Sequence, residues 1–260
     1  MKKTRAFAWL MILGIAAVLC IIFLERDGAD RSAVLEEKLS AADGSLLVSG
    51  GDQFGISGFT YGQDFSASVG MLQLEEWFPE ERVRDITTDA AGAEGACNVR
   101  YSDTDLVFTA FGGVTYTLGF HLSRSLKCYM LDFTARFEEP QTMGAALGGP
   151  AANEMPYEDA CRYFYGLLNA FESAYGSPAD QDTAQDLRDV KGLGAADGVL
   201  PVGNYATWRT SGPLGASVLH LYARPIRDSY DGVLTLTVYV YVGAEIGDVS
   251  LEEILEELPR

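Results

Sequence analysis

Val233-Leu234-Thr235-Leu236-Thr237-Val238-Tyr239-Val240-Tyr241-Val242 alternates without a break. Leu234, Leu236, Val238, Val240 and Val242 fall on one side, and Thr235, Thr237, Tyr239 and Tyr241 on the other. That is the period of a strand whose faces meet different surroundings. Asp231-Gly232 is the turn that launches it. A strand with one apolar and one Thr/Tyr face belongs to an antiparallel sheet with one wetted side. Tyr205–Arg209 and Ser217–Arg224 are two further candidate strands just upstream.

The next stretch outward is helical. Tyr157, Ala160, Cys161, Phe164, Leu167, Leu168, Phe171 and Tyr175 recur at spacings of three and four, which predicts a helix over 157–175 with one broad apolar stripe. Pro156 suits its first turn, Glu158 and Asp159 suit the positive end of its dipole, and Gly176 then Pro178 stop it. Such a stripe packs on a sheet. Further upstream, Val114, Tyr116, Leu118 and Phe120 alternate with Thr115, Thr117, Gly119 and His121. Gly112-Gly113 reads as a tight hairpin joining that strand to Leu106–Phe111. In Leu126–Phe137, strict alternation puts Tyr129, Leu131, Phe133, Ala135 and Phe137 on one face and Cys128, Met130, Asp132, Thr134 and Arg136 on the other. A weaker helix starts at Asp64, carries Phe65, Val69 and Leu72, and is expected to end at Pro79.

The chain therefore reads helix, strands, connector, helix, strands. The fold class is α+β: an N-terminal transmembrane helix, then antiparallel sheet packed by two main helices. The order of elements is the same in both halves, which can form two small units or one continuous sheet. Residues 1–26 are a cytoplasmic stub and transmembrane anchor, 27–54 a juxtamembrane spacer, 55–137 a first α+β unit, 138–155 a Gly/Pro/Ala-rich connector and 156–260 a second unit.

The anchor rests on residues 6–24, nineteen without charge. At ~1.5 Å per residue they span about 28 Å, close to the bilayer core. Lys2, Lys3 and Arg5 precede them, which places the N-terminus in the cytoplasm and the rest outside. The run is long for a signal peptide, and it passes into Glu25-Arg26-Asp27 without a good cleavage site. The expectation is a single-pass cell-membrane protein whose partner is the bilayer through residues 6–24.

The 260 residues carry 37 Asp plus Glu against 19 Lys plus Arg, a net charge of −18. Beyond residue 26 there are 36 acids and 15 bases, or −21. That balance argues against nucleic-acid binding, which needs clustered cations.

Two stretches carry a family resemblance. Phe59-Thr60-Tyr61-Gly62-Gln63-Asp64-Phe65-Ser66-Ala67-Ser68-Val69 resembles the aromatic-x-aromatic-Gly entry to the first helix of secreted proteins and lipoproteins of Gram-positive bacteria. Tyr163, Leu167, Phe171, Tyr175-Gly176-Ser177-Pro178, Trp208, Val218, Leu221, Leu236, Val238 and Tyr241 are similar to a helix, Tyr-Gly-x-Pro, Trp-strand pattern in the same group. Those modules are α+β and loosely similar to small outer-membrane-assembly lipoproteins. The likeness covers most of residues 55–243 through core and turn positions, so it implies a fold and no activity. Members mostly begin with a lipidated cysteine; Cys20 here sits among apolar residues, a departure from that pattern.

Catalytic and cofactor patterns find little support. No His-Glu-x-x-His or Cys-x-x-Cys spacing holds a zinc ion, and no cofactor is expected. His121 and His220 read as structural or exposed residues. Cys97 and Cys128 can pair if their strands are adjacent, whereas Cys161 reads as a buried small hydrophobe. Asp180, Asp182, Asp186 and Asp189 suggest a calcium loop, but Gln185 and Lys191 stand where such a loop needs Gly and Glu. Gly192–Gly198 is not a nucleotide fingerprint. Carboxylate pairs for glycoside cleavage arise by chance among 37 acids, and Glu75-Glu76-Trp77, with its exposed-type aromatic, is thin support for one. The best binding surface is Thr235, Thr237, Tyr239 and Tyr241, because tyrosines give contact area at low entropic cost. The function expected is a membrane-anchored, extracytoplasmic, non-catalytic binding or envelope-assembly module with an envelope protein partner. The alternative is a cell-envelope hydrolase using carboxylates or a calcium ion.

Overall fold

In the computed structural model, which describes residues 47–48, 53–92, 106–139, 152–190, 200, 202–227 and 233–260, the opening strand lies at the middle of one large sheet. The elements in chain order are β1 Leu47–Val48, β2 Gln53–Phe54, α1 Phe65–Met71, α2 Glu80–Gly92, β3 Val107–Ala110, β4 Val114–Leu122, β5 Cys128–Glu138 and β6 Ala152–Glu154. There follow α3 Tyr157–Tyr175, β7 Asp180–Asp182, a 3₁₀ turn Leu187–Asp189, β8 Asn204–Gly212, β9 Gly215–Arg227, β10 Leu234–Ala244 and α4 Leu251–Glu257.

The main sheet runs β3-β4-β5-β10-β9-β8-β7, antiparallel along this path, with β6 parallel to the end of β5. The α+β class holds. β10 pairs with β9 from its own half and with β5 from the other, so strands from both halves share one continuous sheet. Phe133, Val240, Leu221 and Ala206 line up across β5, β10, β9 and β8 and point into one core. Helix α3 lies over that core with Phe164, Leu168 and Phe171 buried, each such burial contributing roughly 1.5–3 kcal/mol. Its bounds match the periodicity, and Gly176 ends it at φ 81°. Phe54, in the last position of the predicted spacer, is buried against the Tyr175 ring, and its N–H donates to Ser217 Oγ.

Four local expectations are corrected. The first helix stops at Met71 because Gln73 takes a positive φ of 57°, well before Pro79. Pro79 instead opens α2, its carbonyl accepting from Val83 N–H while Glu80 and Glu81 fill the acidic first turn. The β3–β4 turn has three residues, since Ala110 pairs with Val114 and Phe111, Gly112 and Gly113 all have positive φ. The register of β4 and β5 shifts between His121 and Leu122, which leaves Tyr129 as the extra residue of a bulge. Cys128 therefore joins the main core, and Tyr129 joins Met130 on the second face, opposite to simple alternation.

Among the described residues no helix is long and apolar enough to cross a membrane. The predicted anchor at 6–24, most of the spacer and connector, Asp231-Gly232 and Gly192–Gly198 lie outside those residues.

At Gly113, φ is 85° and an added Cβ would meet nothing within 4 Å. Gly113→Ala should therefore cost about 1–2 kcal/mol through backbone conformation alone, measured by urea unfolding.

Candidate binding face of the sheet

Thr235, Thr237, Tyr239 and Tyr241 do share the face opposite α3, as their alternation required. Its neighbours follow from register. Thr237 lies between Arg136 and Arg224, Tyr239 between Thr134 and Tyr222, and Tyr241 between Asp132 and His220. Tyr205 and Thr207 continue the same rows on β8. The face is not uniformly wet. Thr235 and Tyr239 are half-buried, whereas Thr237 is 5% and Tyr241 8% exposed.

Helix α4 covers one end. Ser250 and Glu253 form a capping box: Ser250 Oγ accepts from the Glu253 N–H, and Ser250 N–H donates to Glu253 Oε2. That Ser-x-x-Glu signature was present in the sequence and marks a helix the periodicity missed. Ile254 and Leu258 sink into a second apolar cluster with Tyr129, Met130, Val218, Tyr222 and Tyr241. Tyr129 Oη donates to Glu257 Oε2 at 2.6 Å, and burial followed by this carboxylate raises the phenol's pKa. Asp248 accepts from Ser125, N–H and hydroxyl both, at the start of the segment.

His220 fastens the far end. Its Nε2 lies 3.1 Å from the Pro259 carbonyl oxygen, which can only accept, so Nε2 carries the proton. Nδ1 then accepts from Thr207 Oγ1 at 2.8 Å. Both nitrogens are satisfied in the neutral ring, and burial pushes the pKa down to about 3. The Tyr205 and Tyr222 rings of the next cross-strand row stack against it, at 5.7 and 6.3 Å between centroids.

Deeper in the face sits a second histidine. His121 Nε2 donates to Asp132 Oδ2 at 2.8 Å, and Thr134 Oγ1 donates to Oδ1 at 3.1 Å. Asp132 is 1% exposed, and its carboxylate lies across the neighbouring strand at Gly119, where an added Cβ would come within 2.3 Å of Oδ2. Gly119 is thus the vacancy that lets a buried acid reach its base. The ring of His121 meets Tyr129 and Tyr241 edge-on at 6.1 Å. A carboxylate fixing an imidazole is the orienting half of a hydrolytic triad. Here the other nitrogen, Nδ1, is buried with no hydrogen-bond partner, and no hydroxyl or thiol of the described residues bonds to it.

At the end away from α4, half-buried Tyr205 and Tyr239 flank Tyr222, which is 6% exposed, with Arg136 and Arg224 beside them. Tyr222 stacks on Tyr239 at 5.8 Å and 30°, and Tyr239 on Tyr241 at 5.8 Å and 14°. The rings stand beside one another like plates in a rack. Their faces are spent on each other. An added Cβ at Gly203 would strike the Tyr222 ring at 2.6 Å, so that glycine also serves the row. Sequence reading placed Tyr205, Tyr222, Arg136 and Arg224 on strands, but their meeting with Tyr239 depends on inter-strand register.

The other candidates separate. Cys128 and Cys161 are free and buried, with burial raising their pKa values to about 12 and about 11; Cys97 lies outside the described residues. Asp186 caps the 3₁₀ turn and is held by Arg188, which pulls its pKa down to about 2. Asp180 and Asp182 are on β7, and among the described residues no group of three or more His, Cys, Asp or Glu could hold a metal ion. Glu75 and Glu76 are exposed in the loop before α2. A cavity of about 710 Å³ opens at the start of α3, lined by Tyr157, Glu158, Asp159, Arg162, Arg227 and Leu234. Arg162 pairs with Asp159, and Arg227 donates to the Val190 carbonyl, so its cations are engaged within the chain.

No family model matches this chain, and no curated protein or solved structure matches it.

Two measurements test the geometry. Gly119→Ala should cost about 2–4 kcal/mol in urea unfolding, by overpacking and by breaking a buried hydrogen bond. Combined with Asp132→Ala the losses should be clearly less than additive, since the clash then has no partner. For His220, the folded pKa near 3 lies below the unfolded value of about 6.5. Its contribution is flat above pH ~6.5 and is lost on acidification, by up to about 1.4 kcal/mol per pH unit, down to pH ~3. The pH profile of unfolding free energy should lose that component in His220→Gln.

Proposed function

We propose that this chain is a membrane-anchored, extracytoplasmic binding module, tethered through residues 6–24, whose open sheet end receives an envelope protein. The observation that carries the reading is the row Tyr205, Tyr222 and Tyr239 beside Arg136 and Arg224 on one rigid sheet. Tyrosine and arginine concentrate binding energy at protein interfaces, and here they need no ordering on contact. The acidic balance beyond residue 26 supports a module held off anionic lipid and away from nucleic acid. The resemblance to secreted and lipoprotein modules of Gram-positive bacteria supports the same compartment.

A photo-crosslinking amino acid at position 239 of the full chain in intact cells should capture a protein in stoichiometric yield. The same residue at exposed Asn169, on the α3 side of the sheet, should capture none. Tyr205→Ala with Arg224→Ala should reduce capture about tenfold or more while thermal unfolding shifts by only a few degrees. Equal capture from both positions would refute the binding face.

A further inference from the structure

We infer that the β8–β9 turn is the membrane-facing tip of the domain, with Leu214 resting in the interface of a neutral phospholipid layer; this rests on the anchor at residues 6–24 proposed above. Among the described residues Leu214 is the exposed large hydrophobic side chain, at 52%. Single exposed leucines are common on protein surfaces, so exposure alone decides nothing. The setting of this one does. Gly212 pairs with Gly215, which leaves Pro213-Leu214 as a two-residue loop, and Gly215 takes a φ of 103°. Proline restricts its own backbone, and the Leu214 carbonyl accepts from buried Gln53 Nε2 at 3.2 Å. The loop is thus fixed on both sides of an outward leucine. From Thr210 to Leu219 the sequence carries no charge, on a chain of 37 acids and 19 bases.

The chain coming from the anchor enters the fold at this tip. β1 pairs with β2 through Leu47 and Phe54, and β2 lies against the turn. Gln53 reaches the Leu214 carbonyl, and the Phe54 N–H donates to Ser217 Oγ at 2.8 Å. Residues 25–46 are the 22 between the anchor and β1, and a chain of that length spans at most about 75 Å. Such a tether keeps the tip at an effective concentration of order millimolar near the bilayer. A contact too weak to recruit a free domain is then enough to orient this one. Glu245 and Asp248 are exposed at the same end of the sheet, so the contact is apolar and not a charge attraction to anionic lipid. The acids keep the body of the domain off an anionic surface, and the uncharged turn is the part that can meet a neutral one.

The test uses the full chain reconstituted into phosphatidylcholine vesicles that include a lipid with a nitroxide on its headgroup. An environment-sensitive fluorescent amino acid replaces exposed Ser211, beside the turn, or exposed Glu139, just past the end of β5. β5 starts beside Gly243 and ends beside Leu236, and Gly243 pairs with Val218 near the turn, so position 139 lies at the opposite end of the sheet. Quenching should be at least about threefold greater at 211 than at 139, and Leu214→Ser should at least halve it at 211 with thermal unfolding unchanged. Equal quenching at the two positions, or indifference to Leu214→Ser, overturns the inference. So does a label at 211 that is blue-shifted yet unquenched, because a second copy then covers the tip. If the chain fails to float with the vesicles, the anchor and this inference fall together. If it floats and position 211 is quenched no more than 139, the anchor stands and the membrane-facing tip falls.

Discussion

The pairing of Cys128–Glu138 with Leu234–Ala244 is the contact on which the rest of the molecule depends. It joins strands from two helix-plus-strands halves that lie about a hundred residues apart. Neither half buries both faces of its strands alone. Once β10 lies between β5 and β9, Phe133, Val240 and Leu221 form one row beneath α3, and Asp132, Tyr241 and His220 form the row on the other side. The second row exists only because the first does. Its polar groups have partners because the register places acid, phenol and imidazole on adjacent strands, where unpaired burial of each would be costly.

The second face is divided by how it is covered. At one end a seven-residue helix with a capping box, two apolar anchors and the His220–Pro259 contact shields a ladder of aromatic rings. At the other end the ladder continues through buried Tyr222 to half-buried Tyr205 and Tyr239, with arginines beside it. The His121–Asp132 pair is different in kind. It is locked under Gly119 and the tyrosines, and its geometry serves the packing of the covered end.

Much of this was legible. The stripe of Tyr157–Tyr175 named its helix to the residue, and the Thr/Tyr side of β10 was read as a face distinct from the core. Where reading failed, a local rule met a competing one. Pro79 was read as a stop because proline cannot sit inside a helix, yet it is equally suited to open one. Alternation in β5 was projected through Tyr129, but a bulge adds a residue and turns the side chains over. Helix α4 was missed although Ser250 and Glu253 spell its cap, since seven residues give too few turns for periodicity to register.

By itself, then, the sequence determined the α+β class, the main helix, most strands, the acidic character and the expectation of an anchor, because these depend on composition and on spacing along the chain. Tertiary structure decided that one sheet unites the halves, that Asp132 and His121 meet across Gly119, and that Tyr205, Tyr222 and Tyr239 stand in one row beside Arg136 and Arg224. Those facts depend on the register between strands distant in sequence. A shift of one residue would send every one of these side chains to the opposite face, and nothing in the spacing along a single strand records which partner it will have.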